Sequence, residues 1–150
     1  MAEFKQPNGF RIQEKRLGKI HDKFLAAAFS DDGCHLAYLT NDKDGYFVVV
    51  DGRPGAHYEG IAENTLVFGP DGQHIGYVAG KGDRQFVVVD QRPGPEFDLV
   101  SEGGPVFSLH GKRFAYGARK NQKWFAVING QAGPPFDAIG GQLVFSPDEK

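Results

Sequence analysis

A phrase opened by phenylalanine returns at near-constant spacing along this chain. It reads Phe29-Ser30-Asp31-Asp32-Gly33, then Phe68-Gly69-Pro70-Asp71-Gly72, then Phe107-Ser108-Leu109-His110-Gly111, then Phe145-Ser146-Pro147-Asp148. The four phenylalanines lie 39, 39 and 38 residues apart. A period near forty residues marks a repeat architecture in which each unit buries its apolar surface only against its neighbours. It also sorts residues by role. A residue that recurs in every unit serves the unit, and one that does not is free to serve a partner.

The second unit reads as four strands. Leu66-Val67-Phe68 ends at the turn signal Gly69-Pro70-Asp71-Gly72, and His74 to Ala79 returns as a second strand. Gln85 to Asp90 carries Phe86-Val87-Val88-Val89, the strongest β-forming run of the unit, and Glu96 to Val100 follows the turn Gln91-Arg92-Pro93-Gly94. Corresponding strands are expected at 25–29, 35–40, 46–51 and 56–61, and at 105–108, 113–118, 123–129 and 135–139. No helical periodicity is present, apart from a short stretch at 11–19 that could turn once or twice. The fold class expected is therefore all-β, built of four-stranded antiparallel meanders. Boundaries fall at 24–62, 63–101, 102–140 and a partial unit 141–150, after an N-terminal segment 1–23.

The third strand of each unit is apolar on both of its faces: Phe47-Val48-Val49-Val50, Phe86-Val87-Val88-Val89 and Phe125-Ala126-Val127-Ile128. A sheet with one face in water should alternate apolar and polar residues, so both faces are expected to be covered by protein. Small sheets stacked around an axis, as the blades of a β-propeller, provide that cover. Ala37, Gly76 and Ala115 share one second-strand position where a neighbouring sheet can approach closely, while Tyr38, Tyr77 and Tyr116 fill the space between sheets. A β-sandwich is the alternative, but sandwich strands rarely keep a fixed sequence spacing.

Phe145-Ser146-Pro147-Asp148 and its variants, the strand end Val50-Asp51-Gly52, and the strand Tyr58-Glu59-Gly60-Ile61 resemble the TolB-type or WD-repeat-like β-propeller repeat of bacteria. The resemblance covers residues 24–150, with departures at Gly69, His110 and Ala132. It implies a scaffold for binding rather than a reaction. The group includes periplasmic proteins that bind other proteins, and the non-catalytic propellers of prolyl-oligopeptidase-like peptidases.

Composition agrees with one water-facing globular body: 40% hydrophobic, 24% charged and a net charge of −2 give no sign of a nucleic-acid or membrane surface. Cys34 is the only cysteine and its equivalents are Gln73 and Lys112, so it reads as an incidental turn residue. No signal peptide or transmembrane run stands out, which implies a cytoplasmic protein as written, or a periplasmic one if the chain is a piece of a longer protein.

Most carboxylates recur in register. Asp32, Asp71 and Asp148 share a turn position; Asp51 and Asp90, with Asn129, share the third-strand exit; Glu59, Asp98 and Asp137 share a fourth-strand position. Backbone capping explains them better than acid–base chemistry. Asn41-Asp42-Lys43-Asp44-Gly45 lacks the distal glutamate of a calcium loop, and the five histidines lack metal-ligand spacing. Gly80 to Arg84 lacks the spacing of a phosphate loop, and there is no Gly-x-Ser-x-Gly elbow. Neither an enzyme, a cofactor nor a metal is expected.

In a meander, alternate turns lie at opposite ends of the sheet. First-to-second and third-to-fourth turns share one end and vary little. Second-to-third turns and the links between units share the other end and diverge, which makes it the expected binding face. Its candidate residues are Asp42 and Asp44 in unit one, Lys81, Asp83 and Arg84 in unit two, and Arg119, Lys120, Lys123 and Trp124 in unit three. The partner expected is a protein or peptide. The alternative is the gating propeller of a larger hydrolase. Propellers close with roughly four to eight blades, and three units and a part fall short of that. A larger protein, or a homo-oligomer that completes the ring, is expected ahead of closure by residues 8–21 pairing with 142–146.

Overall fold

A computed structural model describes residues 23–148. The expected pairing of 8–21 and the helical stretch at 11–19 lie outside them. The described chain is all-β, in three antiparallel sheets. Sheet I runs β1 (Ala26–Phe29), β2 (Leu36–Asp42), β3 (Gly45–Val50) and β4 (Arg53–Pro54). Sheet II holds β5 (Gly60–Ile61), β6 (Val67–Phe68), β7 (Ile75–Lys81), β8 (Arg84–Val89) and β9 (Arg92–Pro93). Sheet III holds β10 (Leu99–Val100), β11 (Val106–Phe107), β12 (Phe114–Lys120), β13 (Lys123–Ile128) and β14 (Gln131–Ala132). The three central ladders share one register, with Ala37 opposite Val50, Gly76 opposite Val89 and Ala115 opposite Ile128.

The fourth strand differs from expectation. Instead of one strand over 56–61, Arg53–Pro54 pairs within sheet I and Tyr58 bridges Tyr46, whereas Gly60 and Ile61 pair with Gly80 and Ala79 of sheet II. The same crossing carries Phe97, opposite Gln85 in sheet II, into Leu99 and Val100, opposite Arg119 and Ala118 of sheet III. Each connection therefore belongs to two sheets. Its apolar residues are drawn onto the next sheet because the free edge of β7 or β12 offers unpaired amides and carbonyls there.

The first strand of sheets II and III is consequently split in two, and the gap is bridged by side chains. A 3₁₀ turn at Glu63–Thr65 brings the buried Thr65 hydroxyl to the amide of Val78 at 2.9 Å. Ser101 Oγ accepts the amide of Gly117 at 3.2 Å in sheet III. Residues 142–146, expected to begin a fourth unit, form no strand, and residues 135–139 keep only the bridge from Phe136 to Trp124.

Sheets I and II pack through a cluster of Ala37, Leu39 and Val48 against Tyr77, Phe86 and Val88. Sheets II and III pack through Val78 and Val87 against Tyr116, Ala118 and Val127. β8 thus feeds both cores with alternate residues, which is why its sequence is apolar without a break. Gly76 explains the small residue on β7. A Cβ there would come within 2.8 Å of Pro105 Cγ and 3.3 Å of Phe107 Cζ. Phe68 and Phe107 are half-buried rather than enclosed, and Phe29 is 66% exposed. The described sheets form an open stack with no closed ring.

Candidate functional site

Three tight hairpins, β2–β3, β7–β8 and β12–β13, project from one end of the stack. Each is built differently. In the first, Asp42 Oδ1 accepts the amide of Asp44 at 2.8 Å. In the second, Gly82 takes φ +59° at the first turn position. In the third, Asn121 and Gln122 both have positive φ, 51° and 64°, which matches the right-handed twist of the flanking strands.

The connections that cross between sheets lie beside these hairpins and hold them. Glu59 Oε2 accepts the amide of Gly82 at 2.6 Å, so the link leaving sheet I clasps the hairpin of sheet II. Asp98 repeats the clasp one sheet on: Oδ2 accepts the amide of Asn121 at 2.9 Å while Oδ1 pairs with Arg84. Asp137 pairs with Lys123 of its own sheet. His57 Nε2 lies 3.0 Å from Asp42 Oδ2, and its ring packs 4.5 Å from that of Phe47. The hydrogen bond from His57, with that from the amide of Asp44, lowers the pKa of the Asp42 carboxyl.

The sequence candidates therefore fall into two groups. Asp42, Arg84 and Lys123 spend their charge in pairs that shape the hairpins. Asp83 is almost wholly exposed, with an oxygen 3.8 Å from Arg84 Nε. Arg119 lies over the Trp124 ring at 5.9 Å, and Trp124 is half-buried where it bridges Phe136. Lys120 stands exposed opposite Lys123 at the tip of sheet III. Asp44 and Lys81 come together on the walls of one cleft of about 490 Å³ between sheets I and II. Arg119, Lys120, Lys123 and Trp124 do not line it.

His57, Tyr58 and Glu59 contribute one wall of the cleft; Phe86, Pro93, Gly94 and Glu96 contribute the rest. Sequence reasoning missed most of these, because apart from Phe86 and Pro93 they lie in the links between sheets rather than in the hairpin turns. A signal was present. His57 corresponds to Glu96 and then Pro135 at the repeat spacing, a position as divergent as the hairpin tips.

At the opposite end, the turns behave as capping devices. Asp32 Oδ1 accepts the amide of Cys34 at 2.9 Å and Asp71 Oδ1 that of Gln73 at 3.0 Å. Asp51, Asp90 and Asn129 each accept the first amide of the second strand at 3.0 Å. Two pairs were not foreseen: His35 Nδ1 to Asp51 Oδ2 at 2.6 Å, and His74 Nδ1 to Asp90 Oδ2 at 2.7 Å. Cys34 is exposed. Among the described residues no group of three or more His, Cys, Asp or Glu could hold a metal ion, and no helix is long and apolar enough to cross a membrane. In comparisons with known proteins, no protein-family model and no curated protein matches the chain.

Proposed function

We propose that the chain is part of a propeller-like binding scaffold of the TolB or WD-repeat kind, without catalytic chemistry, which engages a protein or peptide through its hairpin end. One observation carries the reading. The hairpins of sheets II and III are fixed by hydrogen bonds from neighbouring links and that of sheet I by its own Asp42, while the residues they present differ from sheet to sheet. Rigid supports under variable tips suit recognition, because little conformational entropy is lost when a partner docks. The half-buried Trp124 beneath Arg119 offers an aromatic anchor of the type that dominates interface energetics.

Selection from a displayed library of random hexapeptides tests this. Wild-type protein should retain a defined set of sequences. Asp44→Asn or a Lys120→Ala/Trp124→Ala double variant should lose members of that set, while Arg53→Ala and Arg92→Ala, on β4 and β9, should keep it. Absence of any selected peptide, or equal loss in the Arg53 and Arg92 variants, would overturn the proposal.

A further inference from the structure

We infer that the cleft between sheets I and II is a subsite for a lysine or arginine side chain of a bound peptide, an inference that rests on the peptide-binding reading above. Its lining carries three carboxylates, Asp44, Glu59 and Glu96, against one ammonium, Lys81. Glu59 is committed to the amide of Gly82. Asp44 and Glu96 form no ion pair among the described residues. The apolar contribution comes from Phe86, which is buried in the sheet I–II cluster, and from Pro93 on β9.

A cleft with an apolar floor and an acidic rim is complementary to a long aliphatic stem with a cationic head. The methylenes of lysine or arginine lie along apolar surface while the head group keeps its charge partners and water. An acidic or purely apolar side chain would leave the two carboxylates facing it without compensation, and like charges brought together cost affinity. Lys81 gives the site a sign that can be read. It opposes a cationic guest and would favour an anionic one. The volume of about 490 Å³ leaves room for one long side chain and part of its backbone.

The experiment uses the whole chain and the same hexapeptide library, followed by fluorescence anisotropy with the labelled peptide Gly-Ser-Lys-Lys-Ser-Gly and its glutamate counterpart. Selected sequences should be enriched in lysine and arginine. The lysine peptide should bind about three- to tenfold more weakly to Asp44→Asn and to Glu96→Gln, and more tightly to Lys81→Ala. Binding should also weaken as salt is raised. Thermal melts confirm that each variant remains folded; none of the three substitutions touches a core side chain. If peptides are selected but are not basic, or if Lys81→Ala weakens binding, the cationic subsite is wrong and the scaffold reading stands. If no peptide is selected, both fall.

Discussion

The carboxylate of Asp98 accepts the backbone amide of Asn121, 23 residues further along, at 2.9 Å, and so ties the link leaving sheet II to the hairpin of sheet III. Its other oxygen pairs with Arg84 at the start of β8. Removing the acceptor leaves a turn amide without its partner and frees Arg84. Asp98→Ala is expected to cost about 1–2 kcal/mol, toward the low end for a hydrogen bond to a charged group because the turn is exposed. Arg84→Ala removes only a partly exposed ion pair and should cost under about 1 kcal/mol. Denaturant midpoints measure both, and amide hydrogen exchange at Asn121 should accelerate in Asp98→Ala but not in Arg84→Ala.

Two buried tyrosines at the same register position differ in their hydrogen bonds, since Tyr77 meets the Tyr58 hydroxyl as well as Gln91. Tyr77 Oη donates to Gln91 Oε1 at 3.3 Å, and the Gln91 amide lies against Gly55, where a Cβ would be 2.0 Å away. Tyr116 Oη is buried with no partner among the described residues, and burial pushes its pKa up to about 12. The reason is visible one sheet on: the residue corresponding to Gln91 is Gly130, which has no side chain to offer, and the one corresponding to Tyr58 is Phe97, which has no hydroxyl. Tyr77→Phe should therefore cost about 1 kcal/mol, whereas Tyr116→Phe should be neutral or stabilising. Gly130 has φ +81° and Gln91 tolerates +65°, so Gly130→Gln can be made at modest strain. A double-mutant cycle between Gly130→Gln and Tyr116→Phe should show a favourable coupling of about 0.5–1 kcal/mol. Zero coupling would mean the new amide does not reach the hydroxyl.

How far the sequence could be read follows from the range of the interactions involved. β2–β3, β7–β8 and β12–β13 are local, two-residue hairpins between apolar runs, and turn chemistry with β-propensity located each of them to within a residue or two. The small residue at Gly76 was legible because Ala37, Gly76 and Ala115 share one position of the repeat. The crossing of Gly60–Ile61 onto sheet II was not legible. Whether the strand after Tyr58 pairs backwards or forwards depends on which sheet edge is free, and nothing local to Tyr58-Glu59-Gly60-Ile61 encodes that. The cleft was hidden for a related reason. Asp44 and Lys81 meet there only because two sheets stack, while Arg84 and Lys123, equally charged in sequence, are consumed by Asp98 and Asp137.

The His74–Asp90 pair predicts a pH dependence of known sign. The hydrogen bond that His74 donates to Asp90, aided by the charges of Asp90 and Asp71, raises the pKa of His74 above its usual value. A histidine whose pKa is higher in the folded state binds its proton more tightly there. Its contribution is fully present below about pH 6.5, the unfolded value, and is lost as pH rises through the folded pKa. Denaturant midpoints at pH 5.5 and pH 8.5 should therefore differ less in His74→Gln than in wild type. His74→Arg supplies a permanent charge at the position that Arg113 occupies in the third unit, and it should also flatten the profile. NMR titration of His74 should show the raised pKa falling back in Asp90→Asn.

The last prediction concerns the closeness of sheets II and III at Gly76. Pro105 and Phe107 fill the space that a side chain there would need. Phe107 is also 3.4 Å from the Cβ position of Gly69, so one ring covers two glycines of the neighbouring sheet. Gly76→Ala pushes the first strand of sheet III away and should destabilise by about 1–3 kcal/mol, as overpacking does. Phe107→Ala empties the same space. Because the ring is half-buried, the loss should lie at or below the low end of the ~3–5 kcal/mol range for phenylalanine truncation. The two changes act on one volume, so they should compensate: with the ring gone, Pro105, the nearest neighbour of the added methyl, can shift into the space the ring leaves. The double variant should be at least about 0.5 kcal/mol more stable than the sum of the single effects implies. Strict additivity would show that the methyl and the ring do not compete for the same space.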